Sequence, residues 1–315
     1  LKKKKLVSYY IVPMAEMELR MLGDGGPRVP VLGFGAWPIG GGLGRVDSAE
    51  AIRTVRAAID SGMTLVDTAE GYRTSETLIG EALRGGYREK CFLATKASFD
   101  FTPKGIQKAL ENSLRSLHTD RVDLYQIHGW DPKIPIEESM GEMRRLKEQG
   151  KTRFLGVSNF LPEHMERAKK VSPIHSNQVR YSLLFRDIEG ATVDFCAKHG
   201  IGIIVHSPLA KGLLTGRYTP ESTFAPDDER SGFPDFQGSL FTRHLSKAAG
   251  LGEIAKEKGI SLVQLAVAWT LRLPVVSCTL VGAKNSRQLA DHLGAVGVTF
   301  TSPEEDRIER VLASG

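Results

Sequence analysis

Apolar residues along the chain fall into two alternating kinds of run. Short stretches, apolar almost throughout, occur at VLGFGA (31–36), TLVDTA (64–69), CFLATKA (91–97), VDLYQIH (122–128), RFLGVSN (153–159), SNQVRYS (176–182), GIIVHS (202–207) and SCTLVG (277–282). Continuous runs, rather than strict alternation, predict strands buried on both faces. Between them the apolar positions recur every three or four residues. In DSAEAIRTVRAAIDSG, residues Ala51, Ile52, Val55 and Ile59 share one helical face, and Asp47 or Ser48 offers the N-cap. TPKGIQKALENSLRSLH repeats the design, with Pro103 in a first turn that tolerates it. A helix begins shortly after Tyr72, and others are predicted over 136–149, 161–170, 187–199, 243–272 (two helices) and 285–294. Ahead of the first strand, MELRML and PRVPVL flank the Gly-rich GDGG, the signature of a hairpin.

Eight strands alternating with helices predict an α/β fold with a parallel sheet covered by helices. Their number and the chain length suit a closed (β/α)8 TIM barrel. The alternative is a doubly wound open sheet with a dinucleotide fingerprint. GFGAWP and GGGLGR both fail G-x-G-x-x-G, and no G-x-x-x-x-G-K-[ST] occurs. No long linker or low-complexity block divides the chain, so residues 14–315 are read as a single domain.

Charge changes the picture little. The net charge of +5 is carried largely by the opening LKKKK; without it, 38 basic residues face 37 acidic ones. A nucleic-acid partner is not expected. Residues 1–13 mimic a signal peptide, but their apolar part is short, contains Ser8 and two tyrosines, and lacks a small-x-small cleavage site. They are read as a disordered extension. Nothing later is long and apolar enough to span a bilayer. Cys91, Cys196 and Cys278 lie far apart without metal-ligand spacing, which favours free thiols, a reducing compartment and a cytoplasmic protein.

The reactive face of such a barrel is the carboxyl end of its strands. Asp67 ends the second strand with Tyr72 in the loop beyond, Lys96 ends the third and His128 the fourth. A buried carboxylate needs a cation, and Lys96 supplies one. The ammonium is expected to lower the Tyr72 pKa from about 10, making the phenol a general acid or base. His128 would orient a carbonyl oxygen or assist the proton. Each residue alone has a structural explanation; four converging on one barrel face favour carbonyl chemistry, with a hydride from a cofactor.

VDTAEGY, ATKAS, DLYQIHGWDP, GVSNF and LVGAKN resemble the successive motifs of the aldo-keto reductases, in their bacterial and potassium-channel-β-like branch. The likeness runs from Leu19 to the C-terminus. It implies a barrel whose bottom is plugged by the N-terminal hairpin, with NADPH extended across the top and preferred over NADH. The implied tetrad is Asp67, Tyr72, Lys96 and His128, with Tyr72 as proton donor. By the same resemblance Gly35, Ala36 and Trp37 lie beside the nicotinamide and pyrophosphate, and Asp67 with them. Ser158, Asn159 and Gln178 match carboxamide contacts. SPLAKGLLTGRY resembles the pyrophosphate loop, contributing Ser207, Leu209, Gly212, Leu213, Thr215 and Gly216. Gly282, Lys284 and Gln288 match the adenosine end, and Lys284 is the candidate reader of the 2′-phosphate. Two positions depart from the pattern. His206 stands where an aromatic residue often stacks on nicotinamide, and Asp291-His292 replaces a Glu-Asn pair near the adenine.

Residues 218–244 are predicted as a long loop near the active site, a partial lid containing Phe224, Phe233, Phe236 and Phe241. Trp37, Tyr72, Phe99, His128, Trp130 and Tyr181 are candidate walls for a small carbonyl or alcohol substrate. The expected function is hydride transfer between NADPH and an aldehyde or ketone. A regulatory subunit that senses NADP(H) with little turnover would use the same residues, and non-redox sugar chemistry is a third use of the barrel. No metal site is expected.

Overall fold

In the computed structural model of the chain, residues 16–44 and 46–314 are described; the extension expected over 1–13 lies outside them. Strands β1 (Leu19–Met21) and β2 (Arg28–Pro30) form the anticipated hairpin, with Arg20 opposite Val29. The barrel strands are β3 (Leu32–Gly35), β4 (Leu65–Asp67), β5 (Phe92–Ala97), β6 (Val122–Ile127), β7 (Thr152–Ser158), β8 (Ser176–Arg180), β9 (Gly202–His206) and β10 (Val276–Val281). They close in sequence order, with β10 pairing to both β9 and β3, all in parallel. Each of the eight predicted strands is present.

The helices are α1 (Ser48–Asp60), α2 (Ser75–Ala82), α3 (Pro103–Ser116), α4 (Ile136–Glu148), α5 (Pro162–Val171), α6 (Ala191–Lys198), α7 (Gly238–Glu257), α8 (Leu262–Thr270), α9 (Ser286–Leu293) and α10 (Ser302–Ala313). Asp47 caps α1 by accepting from Glu50 N at 2.8 Å, and Thr102 caps α3 ahead of Pro103. Two departures from the periodicity reading stand out. Helix α7 starts at Gly238, so the last part of the predicted 218–244 loop is helical. Helix α10 was not anticipated, although Thr301 and Glu304 form a capping box and Ile308 is buried.

One apolar core lies between the barrel wall and the helices; a second fills the inside of the barrel. The inner core joins Leu22 and Val29 of the hairpin region to Leu65, Ala94, Leu124, Ile204, Cys278 and Leu280. The hairpin is fastened below by Arg20, which donates to Leu271 O (3.0 Å) and Val276 O (2.9 Å), and by Ser277 Oγ, which donates to Met21 O (2.7 Å). It stoppers the amino end of the barrel. Further along β4, β5, β6, β8 and β9 the inward positions turn polar: Asp67, Lys96, Gln126, Gln178 and His206. Glycine makes room among these layers. A Cβ at Gly33 would stand 2.8 Å from Leu280 Cδ2, and one at Gly156 would stand 3.1 Å from Gln126 Cγ.

Candidate functional site

The polar layer is organised around Asp67 and Lys96, both buried. The Lys96 ammonium donates to Asp67 Oδ1, to Thr68 O at 2.9 Å and to the Tyr72 hydroxyl at 3.3 Å. Its three donors are thereby all used. Asp67 Oδ2 accepts from Gln178 Nε2 (2.9 Å) and Gln126 Nε2 (3.1 Å). An ion pair removed from water this completely persists because all three ammonium protons and both carboxylate oxygens are engaged. Burial works against the Lys96 charge, but Asp67 and Tyr72 outweigh it and hold the ammonium above its usual range.

Tyr72 differs from expectation. Burial, the largest influence, and Asp67 together raise the phenol pKa against the lowering by Lys96, so the net direction is up rather than down. The phenol keeps its proton across the neutral range. Tyr72 meets the His128 ring edge-on, with centroids 5.5 Å apart. His128 Nδ1 is 2.8 Å from Ser98 Oγ, which accepts from Gly71 N at 3.1 Å. Burial, then Lys96 and His206, push His128 down to about 3.

Above this layer opens a cavity of about 510 Å³. Of the residues singled out from sequence, its walls include Gly35, Ala36, Trp37, Asp67, Tyr72 and His128 at one part of the lining. They also include Gln178, His206, Ser207, Leu209, Gly212, Thr215, Gly282, Lys284, Gln288 and Asp291. Ser158, Asn159, Leu213 and Gly216 are not among the lining residues. Ser158 Oγ donates to Gln178 O (2.8 Å), and Leu213 is packed in the outer core. Asn159 reaches His206 Nε2 at 3.4 Å and donates to His128 O at 3.3 Å. Phe99 and Trp130 also stand outside the walls: Phe99 is 74% exposed, and Trp130 lies against His164 with centroids 4.1 Å apart. Tyr181 is fully buried, bonded to Glu189 (2.5 Å) and Arg272 (2.5 Å).

Backbone strain gathers at this end of the molecule. Arg73, Asn159, Ser207, Ala210 and Lys211 all have φ between 47° and 59°; of the remaining described residues, only His118 among non-glycines has positive φ. Such conformations cost of order 1–3 kcal/mol each and persist where surrounding contacts over-determine them. Here they follow the ends of β4, β7 and β9, and two of them, Ser207 and Lys211, line the cavity.

Residues 216–237 cross the mouth as a strap. Two short 3₁₀ turns, Glu229–Gly232 and Pro234–Phe236, lie within it. Three of the four phenylalanines are accounted for by packing: Phe224, Phe236 and Phe241 cluster with Tyr218, at centroid distances of 5.1–6.4 Å. The strap is tied down by Arg230, which donates to Asp228 Oδ1 (2.9 Å) and to the Tyr218 hydroxyl, and by Glu229 N to Gly42 O (3.2 Å). Tyr218 and Arg230 line the cavity. Lys284 donates to Leu43 O, its backbone N donates to Gln288 Oε1 (2.8 Å), and Asp291 accepts from Ser261 Oγ (2.7 Å). Burial, then Arg230, lower the Lys284 pKa against the pull of Asp228.

The Aldo/keto reductase family model matches residues 31–313. The chain belongs to that family. It is 37% identical over 310 residues to the aldo-keto reductase YhdN of Bacillus subtilis, covering 94% of each chain. It is 34% identical over 300 residues to the aldo-keto reductase str7 of Strobilurus tenacellus, covering 90% and 89%. Among solved structures, the glycerol dehydrogenase AKR11B4 from Gluconobacter oxydans superposes with a TM-score of 0.84 at 34% identity, over 94% of both chains. As an aldo-keto reductase the protein is an oxidoreductase of carbonyl chemistry with a nicotinamide cofactor. Among the described residues no helix is long and apolar enough to cross a membrane, and no cluster of three or more His, Cys, Asp or Glu could hold a metal ion.

Several lining residues were not singled out from the sequence: Leu43, Lys211, Arg217, Tyr218 and Arg230, with Gln126 just below. Gln126 could have been found by parity, since it precedes His128 by two along one strand. Arg230 and Tyr218 sit in the strap, where no periodicity marks which side chains turn inward.

Proposed function

We propose that this aldo-keto reductase reduces an aldehyde or ketone with NADPH, in preference to NADH, and that Tyr72 is the proton donor. The observation that carries the reading is the Lys96 ammonium set between buried Asp67 and the Tyr72 hydroxyl, beneath a long cavity lined elsewhere by Lys284. The residues present suit an extended dinucleotide. Gly282 lets its backbone pack against Pro38, where a Cβ would stand 2.5 Å from Pro38 Cγ; together with Gly35 these residues form part of the cavity wall, and Lys284 offers a cation for a 2′-phosphate. Bound there, the cofactor would supply the hydride.

The protein's own part is to place the carbonyl and manage one proton. The phenol of Tyr72, protonated at neutral pH, gives its proton to the carbonyl oxygen as the carbon is reduced. The resulting phenolate is stabilised by Lys96, whose charge Asp67 secures. In this reading Ser98 Oγ, 2.8 Å from His128 Nδ1, is the donor of that hydrogen bond, and the ring proton sits on Nε2 to hold the carbonyl oxygen. A histidine titrating at about 3 is neutral and keeps this donor role across the working pH range.

The test follows absorbance at 340 nm with NADPH or NADH against benzaldehyde, and repeats it with Tyr72→Phe. Turnover with NADPH favoured is expected, and the variant should lose roughly 10²–10⁴-fold in kcat while NADPH fluorescence titration still shows binding. Equal loss of binding and turnover would make Tyr72 a structural residue.

A further inference from the structure

Lys211 lines the cavity but has no part in the chemistry proposed above. Its ammonium lies between two aromatic faces, 4.6 Å from the centroid of Trp37 and 3.3 Å from that of Phe233. Such faces stabilise a cation without occupying its hydrogen-bond donors. The carboxylates that act on it are committed elsewhere: Glu229 pairs with Arg73 at 3.4 Å, and Asp235 lies 3.3 Å from His244. Arg180 stands nearby at the end of β8, in register with His206, stacked 4.2 Å over Phe185 and paired with exposed Asp187 at 3.2 Å. Lys96, Arg180 and Lys211 all bear on His206, and with burial they drive it down to about 3. Positive charge therefore converges where Tyr72 and His128 also face. Burial lowers Lys211 to about 8, so at pH 7 it still carries its proton.

We propose that Lys211, supported by Arg180, is a specificity determinant that favours carbonyl substrates bearing an anionic group, a carboxylate or a phosphate. Between Trp37 and Phe233 the ammonium is already partly desolvated, and the aromatic faces leave its donors free, so an anion that reaches it makes a charge-assisted hydrogen bond. The inference rests on the carbonyl-reductase reading, and neutral benzaldehyde tests that reading separately.

The experiment compares kcat/KM for 4-carboxybenzaldehyde and benzaldehyde at saturating NADPH, in the full chain and in Lys211→Met and Lys211→Arg. The wild type should prefer the carboxylated aldehyde. Methionine keeps the apolar stem against Trp37 and removes the charge; it should cut that preference by roughly tenfold or more, through KM. Arginine should restore it. Because both substrates are read in one preparation, a loss of folded protein cancels from the ratio. An unchanged ratio in Lys211→Met, meaning that Lys211 only clamps the strap, overturns the proposal. So does an unchanged ratio with weakened NADPH binding, which would assign Lys211 to a cofactor phosphate. No turnover of benzaldehyde by the wild type would instead count against the reductase reading.

Discussion

At the scale of single residues, the site is built from groups whose charge states oppose their usual habits. Lys96 keeps its charge while fully buried, and His128 and His206 resist protonation well below the usual histidine range. The histidines have a consequence for stability. Free histidine titrates near 6.5, whereas these two titrate at about 3, so between those values the unfolded chain binds protons that the native chain does not. Their contribution is complete above about pH 6.5 and is lost as pH falls toward 3. Replacing His206 by Phe should therefore flatten the decline: between pH 7 and pH 5 the variant should lose about 1–2 kcal/mol less than the wild type in urea unfolding. Parallel declines would mean that His206 titrates normally when folded. Asp67, Lys96 and His128 could be picked out in the sequence because each ends a strand. The rise in the Tyr72 pKa could not be, since it depends on how much of the phenol the fold covers.

At the scale of elements, legibility followed the strength of the repeating pattern. Strands buried on both faces announce themselves as apolar runs, and all eight stand where the sequence places them. Helix α10 went unread because its apolar stripe is thin: Ile308 is its only buried residue. The strap was legible as a segment but not as an arrangement. Its phenylalanines signalled packing, yet only the fold reveals that they assemble a small core with Tyr218 while Arg230 turns to Asp228. That core and that arginine hold the strap across the cavity. Replacing Arg230 by Ala removes the donors to both Asp228 and Tyr218, a loss of about 1–3 kcal/mol in local stability. Thermolysin should then cut within residues 217–237 several-fold faster than in the wild type, with the barrel left intact. Unchanged cleavage would show that the aromatic cluster alone fastens the strap.

At the scale of the whole molecule, the barrel is organised in layers along its axis: a hairpin stopper, an apolar interior, a polar network and an open cavity. The apolar interior and the polar network are coupled because the same barrel strands furnish both at successive inward positions. Stability and chemistry are nonetheless separable. Leu22 belongs to the inner core with Leu65 and Cys278, below the polar layer that meets the Tyr72 loop. Truncation to alanine there should cost about 2–5 kcal/mol in chemical denaturation, while kcat per folded molecule stays near the wild-type value. A selective fall in kcat would mean that the stopper also sets the geometry of the polar layer.

The stopper does more than fill space. With its floor closed by the hairpin and its interior packed by Leu65, Leu124, Ile204 and Cys278, the barrel is solid from below. Every molecule that reaches Tyr72 has to come in from the cavity side, past the strap.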